Sequence, residues 1–354
     1  MKEDNRWVYL FALIGIPVLI LDGKTAITGM RMGIEICLQT LIPSLFPFFV
    51  LIGFITCAIA VQAIPIFEPI GKICKIPRGF ESLLLCGFIG GYPVGARNVA
   101  QAYAQGKLSL DQAQRLAILC NNTGPSFIFG ILGSLFPDLA WVCALWLVQI
   151  LSVLLTGILL PSPGNSTPVT WDKTATNLTE TLPQAIRSIA VVCGWVVLFR
   201  MVLEFANRWF LYFLPILVRV ALTGALELTN GCLKLDMVDI LSTRFLMATW
   251  MLSTGGLCVV MQTKAVFPQL NFRRYLFGKG LQTVIAMVLA WSWLVFLNLK
   301  LGWVPTVLMV IFFPVYSFHF CRKRKIAVAF PGVLMYNTPD IVMRGVRNAV
   351  SQEN

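Results

Sequence analysis

Apolar segments of about twenty residues recur along the whole chain, and this restricts its fold more than any other feature: a bilayer core roughly 30 Å thick needs about 20 mostly apolar residues per helical crossing. Uninterrupted apolar stretches place spans at residues 7–21, 41–61, 139–160, 184–205, 281–297 and 303–320, with two interrupted regions at 82–136 and 209–266. Only 12% of the 354 residues are charged, against about 25% in an ordinary soluble domain. No stretch is left over that could fold as a soluble domain of any size. The expected fold class is therefore an all-α polytopic membrane protein, with the lipid bilayer as its main solvent. The run at 7–21 lacks the small-residue cleavage site of a signal peptide and is expected to remain as a helix.

A net charge of +12 would suggest nucleic acid as a partner for a soluble chain, but here Lys and Arg fall mainly between the apolar segments, where they set orientation. With the N-terminus inside, Lys72, Lys75, Arg78, Lys107, Arg273, Arg274, Lys279 and the run Arg322-Lys-Arg-Lys325 fall on the cytoplasmic side. The outer segments then hold only a few cations, such as Lys24, Arg31, Arg208, Lys234 and Lys300. Both termini are expected in the cytoplasm of a bacterial cell membrane, and no nucleic-acid partner is expected. The ten Cys are scattered singly with no CxxC pair, so neither a metal site nor a disulfide framework is implied. His319, the single histidine, stands beside the basic run at the end of the last span and reads as interfacial. No cofactor, metal ligand or catalytic residue is expected, and the chain does not read as an enzyme.

The two interrupted regions share a plan. In the first, Gly87-Phe-Ile-Gly-Gly-Tyr-Pro-Val-Gly95 breaks an apolar run and Gly106-Lys107 turns the chain. A helix then opens at Ser109 with Asp111 in its first turn, breaks at Asn121-Asn-Thr-Gly-Pro125 and resumes at Pro125. In the second, Gly224-Ala-Leu-Glu-Leu-Thr-Asn-Gly231 makes a polar tip, and Ser253-Thr-Gly-Gly256 interrupts the helix that follows. Thr123-Gly124 through Phe136-Pro137 lies over Thr254-Gly255 through Phe267-Pro268 at a fixed offset, and Leu41-Ile-Pro43 lies over Thr181-Leu-Pro183. Each half then carries an odd number of crossings, which requires the two to be inverted repeats.

The resulting organisation is an N-terminal span and an interfacial helix at 25–39 within residues 1–40, then a first repeat at 41–160 with a hairpin at 80–106 and a broken helix at 109–136. A cytoplasmic linker at 161–180 leads to a second repeat at 181–298, with a hairpin at 209–241 and a broken helix at 243–266. The last span and a basic tail occupy 299–354. This makes about eight spans plus two re-entrant hairpins.

Unpaired backbone groups cost several kcal/mol each in hydrocarbon, so broken helices at membrane depth survive only around a wet or protein-lined cavity. Opposed helix ends there offer N–H groups to an anion and C=O groups to a cation. The candidate binding residues are Tyr92, Asn121, Asn122, Thr123 and Ser126 in the first half, and Glu227, Thr229, Asn230, Ser253, Thr254 and Gln262 in the second. Taken singly, each Asn, Ser or Thr could simply cap a helix. Glu227 is the sharpest candidate, because an intramembrane carboxylate either pairs or carries ions; Arg200 or Arg219 would be its structural partner. Gly91, Pro93, Gly95, Gly124, Pro125, Gly255 and Gly256 read as backbone tips, where tight approach or positive φ is needed. No Lys-Ser/Thr follows Gly90-Gly91, so this is not a phosphate loop.

At Gly90-Gly-Tyr-Pro-Val-Gly-Ala96, Cys120-Asn-Asn-Thr-Gly-Pro-Ser-Phe-Ile-Phe-Gly130, Leu226-Glu-Leu-Thr-Asn-Gly231 and Ser253-Thr-Gly-Gly256, the chain resembles the sporulation integral membrane protein YlbJ family, which carries the nucleoside-recognition or Gate domain. That family in turn looks like the concentrative nucleoside transporters, whose paired hairpins and unwound helices hold substrate at the midplane. The resemblance implies action in the mother cell of a spore former, in the outer forespore membrane, moving dipicolinate. At the first tip, Tyr92-Pro93 stands where nucleoside transporters have a Gln-Thr-Glu type motif; at the second, Glu227 keeps a carboxylate like theirs. The expected function is a secondary transporter of a small organic anion. A proton- or sodium-coupled nucleoside or nucleobase carrier and a non-transporting gate or scaffold are the alternatives, and a homo-oligomer is left open. Tyr92, Phe127 or Phe129 would suit any flat ring.

Overall fold

The computed structural model describes residues 6–59, 67–162 and 178–299, and among them every regular element is helical. The expected last span at 303–320, His319, the basic run at 322–325, Lys300 and most of the linker at 161–180 lie outside the described residues. Among the described residues, six helices are long and apolar enough to cross a membrane: Gly23–Phe54, Leu110–Leu135, Leu139–Leu159, Thr181–Trp209, Leu241–Val266 and Phe272–Leu297.

Helix α1 (Arg6–Leu21) has 16 residues and is about 24 Å long, short of a 30 Å hydrocarbon core without tilt or thinning. It leads into α2 (Gly23–Ile36), which is capped by the Asp22 side chain accepting from Thr25 N–H. A π-helical turn over Cys37–Leu41 then joins α2 directly to α3 (Ile42–Ile59). Pro43 and Pro47 bring no N–H to this helix, and the backbone register slips so that Ile42 N–H donates to Cys37 O.

Residues 25–39, expected from sequence as an interfacial helix, run on into α3 and pack antiparallel along α10 (Leu178–Trp209). The reason is a small-residue face. A Cβ at Gly29 would sit 2.7 Å from Met201 Cα and one at Gly33 2.8 Å from Val197 Cα, so the two backbones touch where only glycine fits.

A short exposed helix, α4 (Glu68–Ile73), follows, where Lys72 and Arg78 hold the Glu68 carboxyl below the usual carboxylate range, chiefly through the Lys72 hydrogen bond. Then α5 (Glu81–Gly90) and α6 (Val94–Ala104) form a helix pair joined by Gly91-Tyr92-Pro93, and α7 (Leu110–Cys120) begins one element further on. Its start is the expected one: Ser109 and Gln112 exchange backbone and side-chain hydrogen bonds in a capping box. After an interruption at residues 121–124, the chain resumes with α8 (Pro125–Phe127), passes through π and 3-10 turns to Leu135, and continues into α9 (Leu139–Leu159).

The second half repeats the order. The long α10 is followed by the pair α11 (Ile216–Leu226) and α12 (Leu228–Leu233), then by α13 (Leu241–Thr254), an interruption at Gly255, α14 (Gly256–Val266) and α15 (Phe272–Leu299). Phe136 and Phe267, aligned by sequence, each terminate the second piece of an interrupted helix.

Two apolar cores support this arrangement. One is built around Leu41, Ile128, Leu132, Leu145, Phe245 and Leu252, and the other around Phe80, Leu116, Leu119, Phe267 and Tyr275. Large apolar side chains such as Leu13, Leu51, Val284 and Trp291 point outward, as lipid-facing positions do.

Candidate functional site

The first interruption follows from its sequence. Asn121 leaves the helical conformation at φ −100° and ψ 89°, and Asn122 Nδ2 donates back to Leu119 O at 2.6 Å, which helps to terminate α7. Pro125 opens α8, where its missing N–H costs nothing. At the second interruption Gly255 and Gly256 both take positive φ, +74° and +70°, a run that side-chain-bearing residues avoid.

Each helix pair is seated on the interruption of its own half. Gly91 and Gly124 pack backbone on backbone, a Cβ on Gly91 falling 2.7 Å from Gly124 N, and a Cβ on Gly256 would fall 2.7 Å from Gly224 O. The halves are tied together at one carbonyl: Tyr92 Oη and Thr123 Oγ1 both donate to Leu252 O, at 3.2 and 3.0 Å.

Between these elements lies a cavity of about 40 Å³, lined by Gly90, Gly91 and Tyr92, by Thr123, Gly124, Ser126 and Phe127, by Glu227, Leu228 and Thr229, and by Val259 and Gln262, with Leu41, Leu45, Val192 and Val196 closing the apolar side. That volume admits about three water molecules and no aromatic acid, so a ring-sized ligand requires the helix-pair tips to part.

Two polar groups stand out on its wall. Ser126 Oγ is buried without a protein partner, and the Glu227 carboxylate is 1% exposed. Glu227 caps α12 by accepting from Thr229 N–H at 3.0 Å, Asn230 N–H at 2.6 Å and Asn230 Nδ2 at 2.6 Å. Neither Arg200 nor Arg219, the cations considered for it on sequence, is its partner. Arg200 pairs instead with Glu204 at 2.8 Å, one helical turn away.

Of the residues singled out from sequence, Tyr92, Thr123, Ser126, Glu227, Thr229, Gln262, Gly91 and Gly124 share the cavity. The others stand behind it. Asn121 Nδ2 donates to Thr263 Oγ1 at 2.7 Å and Tyr275 Oη at 2.8 Å. Asn230 serves the Glu227 cap, Ser253 Oγ bonds Gln149 and Thr249 O, and Thr254 Oγ1 bonds Trp250 O. Gly95 packs on the Cys120 carbonyl, Pro93 is the N-cap of α6 and Pro125 the first residue of α8.

Lys279 is a correction. Sequence placed it among the cytoplasmic cations after Arg273-Arg274, but it is 2% exposed and its ammonium reaches Asn121 O and Asn122 Oδ1 beside the first interruption. The available signal was its place inside an apolar run, where an ionisable residue calls for a partner. Gln149, Tyr275 and Gln282 were also missed, since single polar residues in long helices carry no pattern.

No protein-family model matches the chain, and no solved structure matches it. Over 134 residues it is 30% identical to the sporulation integral membrane protein YlbJ of Bacillus subtilis (strain 168), an alignment covering 36% of this chain and 32% of that relative. The chain thus spans about a third of the length of the curated relative it matches. That likeness and six apolar helices of spanning length among the described residues make this a multi-pass membrane protein similar to YlbJ.

Proposed function

We propose that this chain is a secondary transporter of a small organic anion, with dipicolinate as the first candidate, bound between two re-entrant hairpin tips and two interrupted helices of an inverted repeat. The observation that carries the reading is the cavity at which helix ends from both halves meet, walled by the unpartnered Ser126 hydroxyl and the Glu227 carboxylate. Interrupted helices whose halves point at a shared site are how membrane carriers bind small ions and solutes. The small size of the cavity supports a cycle in which the α5–α6 and α11–α12 pairs move against the α2–α3 and α10 scaffold to admit substrate. The likeness to a sporulation integral membrane protein supports placement in a membrane; the bacterial cell membrane, the outer forespore membrane included, is the proposed location, and the distribution of Lys and Arg supports cytoplasmic termini.

The test is thermal unfolding of purified protein in detergent with dipicolinate, uridine, inosine or adenine, each with and without sodium. A ligand at about 100 times its dissociation constant adds about 2.7 kcal/mol to the folded state. A rise with dipicolinate that Ser126→Ala cuts to about half, as a roughly tenfold loss of affinity from one strong hydrogen bond would, supports the anion carrier. A rise with a nucleoside alone replaces it by a nucleoside carrier, and no rise with any ligand favours a gate or scaffold.

A further inference from the structure

The last carbonyls of a helix lack N–H partners and carry the negative end of its dipole. The two interruptions meet this need with different donors. At the end of α13, Leu252 O accepts from the neutral hydroxyls of Tyr92 and Thr123. At the end of α7 the donor is an ammonium: Lys279 Nζ lies 3.0 Å from Asn121 O, 3.1 Å from Asn122 Oδ1 and 2.7 Å from Gln282 Oε1. All three acceptors are uncharged oxygens, and the face of the Tyr92 ring lies 5.5 Å from the same nitrogen, within cation–π range. Gln282 Nε2 also donates to Asn122 Oδ1 at 3.0 Å, which fixes the amide so that its oxygen faces the ammonium. The site lies about 10 Å along α15 from its first residue, inside the span rather than at its end.

Neutral carbonyl oxygens at the C-terminus of a half-helix are the ligands that a monovalent cation takes in membrane carriers. We infer that Lys279 is a tethered cation filling a monovalent-cation site formed by the first interruption, so that the carrier needs no sodium there. A covalently held amine stays at this break through every stage of a cycle, whereas a free ion would bind and leave. The consequence for coupling rests on the transporter reading; the filling of the site does not.

The experiment compares unfolding temperatures of the full chain in detergent, in sodium chloride and in choline chloride at equal ionic strength, for wild type, Lys279→Ala and Lys279→Met. Choline is too large for the space that the ammonium leaves. Wild type should unfold at the same temperature in both salts. Lys279→Ala should unfold lower in choline and recover several degrees in sodium, because an ion that binds only the native state stabilises it. Lys279→Met, which keeps the bulk without the charge, should be lowered equally in both. A sodium-dependent rise in wild type, or the absence of one in Lys279→Ala, overturns the inference. If Lys279→Ala does not fold, Lys279→Ser in the same two salts takes its place, with the same two outcomes. Failure of every candidate substrate to bind would sink the transport reading while leaving these salt comparisons readable.

Discussion

At the scale of the residue, the closest constraint is on Gly87 and Gly95, which press the α5–α6 pair onto the last turn of α7. A Cβ at either position would collide with the carbonyl of Cys120, and backbone cannot give way as a flexible side chain can. Gly95→Ala should therefore cost about 1–3 kcal/mol or more from overpacking, measured as a fall in Tm. Gly280→Ala, on an exposed face with nothing within 4 Å, should be neutral or raise stability by about 0.5–1 kcal/mol. Glu227 combines two roles that substitution separates. Glu227→Ala leaves the Thr229 and Asn230 N–H groups of α12 without their acceptor and should lose about 1–3 kcal/mol. Glu227→Gln keeps an oxygen there and should unfold near wild type while altering ligand binding; equal stability losses in the two variants would argue against the capping role. Glu227 was legible in the sequence because a carboxylate in an apolar setting is conspicuous. Lys279 was not, because two arginines five and six residues earlier made it look like one more topological cation.

At the scale of the element, local signals located the boundaries well. Ser109 and Asp111 marked the start of α7, Pro125 the restart after the first interruption, and Gly255-Gly256 the second. The capping box at Ser109 gives a direct check: Ser109→Ala should remove about 1 kcal/mol, a shift in Tm of about 1–2 °C by the per-residue entropy of unfolding. The segment at 25–39 shows what local reading leaves open. Its mixed composition suggested an amphipathic interfacial helix, but Gly29 and Gly33, four residues apart, form a face on which α10 lies backbone to backbone. Glycine spacing shows that a close approach is possible; which helix makes it depends on the packed structure. Gly33→Leu should separate α2 from α10 and lower Tm more than Leu38→Ala, which truncates an outward-facing side chain that is 61% exposed.

At the scale of the whole molecule, the proposed orientation predicts that a cysteine at Gln105 reacts with an impermeant maleimide from the cytoplasmic side of sealed vesicles, and one at Tyr212 from the opposite side. Reaction of both from one side would refute the arrangement of spans. By itself, the sequence determined the all-helical class, the position of most long apolar helices, the two interruptions and the parallel order of elements in the halves. Each of these depends on the local cost of burying backbone or exposing apolar surface. Only the tertiary structure decided which polar groups share the cavity. Asn121 and Ser253 point into bonds with neighbouring helices, Thr254 turns back onto Trp250 O of its own helix, Ser126 lines the cavity, and Lys279 reaches in from α15 to hold the end of α7. Those choices depend on contacts between residues far apart in the chain, where no periodicity or capping signal records which partner a side chain will meet.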